Sequence, residues 1–294
     1  MLRWSSTSCC ASTADWRAPV LISSSKRFGA LARASHSPNV ALPANRLDPG
    51  QWVRPARSTP RKVSSVEEPS GRESRAITET RLSHEMHRRA TSLLLDAVDR
   101  DSVPAESLAL FRDFVVTNLR HHHETEDAWL WPQILSASPE TGHLLDELSL
   151  EHKRLEAALD RLAGAEVSRK TASNSAAPGG GPENAPRSGL AALRAAALEV
   201  RDEVHLHLEH EEPILFPALR DHITPDQWDE FSRRVIESSP TVAGHLTIGL
   251  FEEVGTPAEV QSALVNMPEN LRPLIPAMRS QAAADLRVLR GLAS

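Results

Sequence analysis

The chain has 294 residues, 40% hydrophobic and 24% charged, enough for one large or two modest globular units with a real core. No stretch reaches the roughly 18 uninterrupted apolar residues that a membrane span needs. The only cysteines, Cys9 and Cys10, exclude a disulfide framework, a thiolate-bound zinc or iron–sulfur site and a cysteine nucleophile in the folded part, and the lack of tyrosine excludes a tyrosyl radical.

Charge is uneven. Residues 1–65 carry ten Lys/Arg against Asp15 and Asp48, a net of +8, and the remainder carries 23 bases against 37 acids, a net of −14. An acidic body argues against nucleic acid as a partner, because phosphate contacts need clustered Lys/Arg. The head, 1–75, is rich in Ser, Arg and Pro without apolar periodicity, and reads as a disordered basic extension. Its acid-poor composition also fits an organelle transit peptide. The rest is expected to be a cytoplasmic protein.

Helical periodicity begins near residue 76. A first run extends to about residue 100, where Val103-Pro104 breaks it, and a second runs from Pro104 through HHHETEDAWLWPQIL. SASPETG interrupts, with Ser138 and Pro139 expected at an N-cap and first helical position. A third run, from His143, fades at Gly164, and residues 168–186 read as a flexible polar linker. The fourth run ends near His222, with Pro213 expected to kink or stop it. The predicted fold is all-α, an up-down four-helix bundle over 76–222 with a helical C-terminal region over 223–294. In that region Thr224-Pro225-Asp226-Gln227 and Thr256-Pro257-Ala258-Glu259 have the form of capped helix starts. It is expected to pack on the bundle or to mediate self-association.

Thirteen histidines are the unusual resource. HHETEDAWLWP (122–132) and HLEHEEPILFP (207–217) form an internal repeat that aligns His122 with His207, Glu126 with Glu211 and Pro132 with Pro217. Each copy puts an imidazole and a carboxylate one turn apart on one helix face. His207 and Glu211 continue the apolar stripe of Leu193, Ala197, Val200 and Val204. His122 and Glu126 continue that of Leu108, Phe111, Val115 and Leu119, whereas a His123–Asp127 register shares its stripe with Arg120. His152 falls in a leucine seam, and His84 and His87 lie one turn apart on the first helix. At 1.5 Å per residue, His84 and His122 both lie roughly 25 Å from the turn that joins their helices. Buried imidazoles and carboxylates need a common partner, so this level of the bundle reads as a metal site. Nitrogen and oxygen donors without sulfur suit iron, manganese or zinc, and two carboxylates on different helices favour two ions. The Glu-x-x-His spacing of ferritin-like bundles occurs only at Glu140–His143, and no HExxH is present. His121, His123, His205 and His210 are expected on solvated faces.

These motifs resemble the hemerythrin-like, HHE cation-binding proteins, through HHHETEDAWLWP (121–132), the LEH at 150–152 and HLEHEEPILFP (207–217). HEMHRR (84–89) is similar to the first-helix motif of a bacterial subgroup, which points to His84 over His87. The resemblance implies a non-haem di-iron centre, with manganese or zinc less favoured. His84, His122, His152 and His207 would be terminal ligands and Glu126 and Glu211 bridges. Leu148 stands where oxygen carriers have a further histidine, which implies an open position. A small ligand such as dioxygen, peroxide or nitric oxide would bind there, or the protein would sense iron. A peroxide-disproportionating enzyme with Asp127 or Glu212 as proton shuttles, or an iron-dependent regulatory module, are the alternatives.

Overall fold

The computed structural model describes residues 74–167 and 188–292. The basic extension up to residue 73, with Cys9, Cys10 and His36, and the expected linker at 168–186 lie outside the described residues. Every regular element among them is a helix, and none of these helices is long and apolar enough to cross a membrane.

The bundle is built from α1 (Arg75–Val98), α2 (Ala105–Thr125), α4 (Gly142–Gly164) and α5 (Ser188–His222). Ser74 caps α1 by accepting from the Ile77 N–H. α2 continues through one π-helical turn, Glu126–Leu130, into α3 (Trp131–Ala137). Pro132 has no N–H to offer Ala128, and there the ladder widens, with the Trp131 N–H donating to the Glu126 carbonyl. Ser138 and Pro139 stand at the N-cap and first position of a helical turn as expected, but the Ser138 side chain caps no backbone N–H. Its hydroxyl donates to Glu140, a short 3₁₀ turn spans Pro139–Thr141, and α4 starts only at Gly142. Pro213 does not stop α5 either, which runs through it and Pro217 to His222.

α1 packs on α2 and α5, and α4 packs on the same two helices, which closes a four-sided ring. The apolar core is divided along the ring. One cluster holds Met86 to Val98 of α1, Leu108 to Leu119 of α2, Leu155 to Leu162 of α4 and Leu193 to Leu208 of α5. The other holds Ile77, Leu130, Trp131, Ile134, Leu145, Leu148, Leu215 and Leu219. The buried polar residues between the two clusters include His84 on α1, His123 and Glu126 on α2 and its continuation, His152 on α4, and His207 and Glu211 on α5.

The C-terminal region forms α6 (Pro225–Ser238), α7 (His245–Val254), α8 (Pro257–Ala263) and α9 (Ile275–Leu289). Thr224 with Gln227 and Thr256 with Glu259 close reciprocal capping boxes at the starts of α6 and α8. These helices lie against α1, with α9 also reaching α2. Leu246, Leu250, Leu286 and Leu289 join the first core cluster and Trp228 and Phe231 the second. Buried Glu79 of α1 is the polar anchor. It accepts from Trp228 Nε1 at 2.8 Å and from Ser262 Oγ at 2.9 Å, and Arg75 pairs with it at 2.6 Å.

α7 and α9 cross where Gly249 meets Ala282, and a Cβ on Gly249 would stand 2.6 Å from the Ala282 Cβ. Gly249→Leu is therefore expected to lower stability by about 1–3 kcal/mol, read from the urea midpoint of unfolding. An unchanged midpoint would mean that this crossing is not as close as described.

Candidate metal centre

Four helices bring their polar residues to one level because each interrupts its apolar stripe at the same height. His84 on α1, Glu126 at the start of the π turn, His123 on α2, His152 on α4 and His207 and Glu211 on α5 are all buried, and His122 is nearly so. Two groups of donors form. His84, His122, Glu126 and Glu211 each offer an atom within 4.8 Å of the others, and His123, His152 and His207 do the same.

The carboxylates lie between the groups. Glu126 Oε1 is 3.4 Å from His122 Nε2 and its Oε2 is 3.8 Å from His152 Nε2. Glu211 Oε2 is 3.7 Å from His84 Nε2 and 3.3 Å from His207 Nε2. Nε2 of His84 and His122, Oε2 of Glu126 and both Glu211 oxygens are buried without a hydrogen-bond partner. Leaving such atoms unpaired costs about 1–3 kcal/mol each, and more for a charged group. Their convergence fits a cation of the kind nitrogen and oxygen donors hold.

The outward nitrogens are anchored by a second set of acids. His84 Nδ1 is 3.0 Å from Glu212, which also accepts from Arg88 at 2.8 Å. His207 Nδ1 is 2.9 Å from Glu151, which His210 Nδ1 also contacts at 3.0 Å. His152 Nδ1 lies 3.1 Å from Asp127, at ion-pair distance but outside hydrogen-bond alignment. An acid behind each ring fixes its orientation and turns Nε2 inward.

Burial shapes the charges. Burial, then the Glu211 charge, holds the Glu126 carboxyl well above the usual carboxylate range. Burial opposes the Glu211 charge as well, but His84, His207 and His152 outweigh it and bring that carboxyl down to about 2. Burial and neighbouring imidazoles push His122 and His123 well below the ordinary histidine value, and burial with His84 brings His87 to about 3. Neutral rings keep the lone pairs that a metal needs.

Of the residues expected from sequence, the structure places His84, His122, Glu126 and Glu211 in one group and His152 and His207 in the other. His87 stays outside both groups, with its ring 4.6 Å from that of His122, and Glu212 stands behind His84 instead of facing inward. His123 is the correction. It is buried in the second group, stacked on His152 at 4.4 Å, and not on a solvated face. α2 is packed on both sides, so its inner face is wide enough for two consecutive residues about 100° apart. Val116, Leu119 and His123 at i, i+3 and i+7 carried that signal. His210 is half exposed but held by Glu151, His121 Nε2 meets Ser238 Oγ at 2.8 Å, and His245 pairs with Asp285 at 2.8 Å away from the centre.

Residues 75–180 match the family model described as the hemerythrin HHE cation binding domain. Over this span the chain carries the pattern of the hemerythrin HHE cation-binding domain. No curated protein and no solved structure matches the chain significantly. The family match carries the HHE residues of α1, α2 and α4, while His207 and Glu211 come from α5, beyond its end. Together they form a buried cluster fitted to a metal cation.

Glu151 touches His207 from outside, so Glu151→Ala is expected to weaken metal affinity by about 10–100-fold in a chelator competition without changing the fold. A second expectation concerns the metal-free chain. The unfolded His87 takes up a proton near pH 6.5, but the folded one does so only at about 3. Its contribution to stability is present above about 6.5 and is lost as pH falls, by about 1.4 kcal/mol per unit. His122 and His123 act with the same sign. Urea midpoints should drop between about pH 7 and about pH 5, with a shallower drop in His87→Gln.

Proposed function

We propose that the HHE centre holds two iron ions and binds a small ligand, dioxygen, peroxide or nitric oxide, at the side with fewer imidazoles. The observation that carries the reading is the reach of each carboxylate. Glu126 and Glu211 each stand within 4 Å of an imidazole in both donor groups, as bridges between two ions would. His84 and His122 serve one side, and His123, His152 and His207 the other. A cation on the two-imidazole side would supply an open coordination position. The protein's own part is to orient the rings, exclude water and keep Glu126 ready to lose its proton as the cation enters.

Iron is preferred over manganese or zinc on the likeness to the hemerythrin HHE domain, and the donor set, nitrogen and carboxylate oxygen without thiolate, is compatible with it. Binding is preferred over peroxide disproportionation because Asp127 and Glu212 are committed to His152 and His84, with Ser149 and Arg88 as further partners, and are not free to carry protons.

The test is metal content of the full chain from iron-supplemented cells. Two irons per chain are expected, falling to one or none in His84→Ala and His123→Ala, while His245→Ala keeps both. Equal loss in His245→Ala and His123→Ala would sink the assignment. Nitric oxide added to the ferrous protein should change its visible absorption. A spectrum indifferent to nitric oxide, peroxide and dioxygen overturns the ligand-binding reading.

A further inference from the structure

Beside the centre lies a half-enclosed cavity of about 180 Å³ between α1, α2 and the C-terminal helices α6–α8. Its walls include His87, His122 and Glu126, which belong to or border the two-imidazole side of the centre. Met86, Phe231, Val235 and Phe251 are among its apolar walls, and Asn118 and Thr125 among its polar ones. Trp228 lines it too, on the helix that Glu79 ties to α1.

The volume is far more than a diatomic ligand or peroxide fills. A cavity of about 150 Å³ with aliphatic and aromatic walls accepts benzene. Charge narrows the class. No Lys or Arg lines the cavity, and its two carboxylates are already engaged, Glu79 by Arg75, Trp228 and Ser262, and Glu126 by the metal belt. The walls themselves offer neither a cationic side chain to an anion nor a free acid to a cation, so a charged ligand would lose hydration there without a side-chain partner.

We propose that this cavity binds a neutral, largely apolar organic molecule about the size of one aromatic ring, held against His87 and His122. The C-terminal helices then have a binding role, because they form the outer wall. Binding depends on the cavity walls alone, whereas an effect of the bound molecule on the metal's own ligand rests on the two-iron reading.

The test uses the full chain with its metal and four probes: toluene, phenol, benzoate and benzylamine. Calorimetry and melting should show saturable binding of toluene and phenol, at least about tenfold tighter than of either charged probe. Ser83→Phe on α1 and Thr247→Phe on α7, both lining positions, should weaken toluene binding by about tenfold or more with metal content unchanged. Should either variant fail to fold, nuclear Overhauser contacts between toluene and the methyls of Met86 and Val235 in the zinc-loaded wild-type chain decide the matter. No saturable binding of the neutral rings, equal binding of benzoate, or contacts elsewhere overturns the proposal. Metal analysis of the same samples keeps the two readings apart, since toluene binding with a missing metal would sink only the two-iron centre.

Discussion

A level of unpaired polar atoms across the middle of an apolar bundle is the constraint on which this structure depends. Above and below it the core is ordinary leucine, valine and phenylalanine packing, each buried side chain contributing about 1.5–3 kcal/mol. Between them stand imidazole and carboxylate atoms turned toward each other without hydrogen-bond partners. A cation at that level satisfies donors from α1, α2, α4 and α5 at once, so its binding energy is also energy of the fold. The same requirement fixes helix register, because a slip of one residue turns a helix by about 100° and removes its donor from the belt.

The surroundings of the belt divide the work by polarity. Inward atoms are left for the metal, and outward nitrogens are held by Glu212, Glu151 and Asp127. Partial burial of these acids is outweighed by their imidazole partners, with Arg88 beside Glu212, which keep them below the ordinary carboxylate range. The rings are thus oriented before any ion arrives. The inner carboxylates behave differently from each other, with Glu126 favouring its neutral form and Glu211 its charged one. A cation entering the belt would therefore have to displace the proton of Glu126, whereas Glu211 is already held ionised by its imidazole neighbours.

Much of this was legible in the sequence because the information was periodic. The 3/4 spacing of apolar residues located the bundle helices, and the repeated His-x-x-x-Glu named residues that the structure brings together. The capped starts at Thr224 and Thr256 were readable because their chemistry is local. What escaped was whatever depends on neighbours. His123 was hidden because one stripe per helix is too narrow a picture for a helix packed on two sides. The outer acids were hidden because Glu151 meets His207, and Glu212 meets His84, across helices, where no spacing rule reaches. The cavity was hidden for the same reason, since its walls come from segments far apart in the chain.

α1 is covered on two faces and meets water only along a strip through Glu85, Arg89 and Asp96. α2 and α5 cover one face, and α6, α7 and α8 cover the other, with Leu82 against Gly255 and Glu79 tied to Trp228 and Ser262. The folding unit is accordingly larger than the recognisable domain. A chain cut after His222 would keep every candidate metal donor, yet it would present the tail-facing strip of α1 to water and leave Glu79 with Arg75 alone. Sequence boundaries drawn around the motif mark where the chemistry is, not where the protein can be divided.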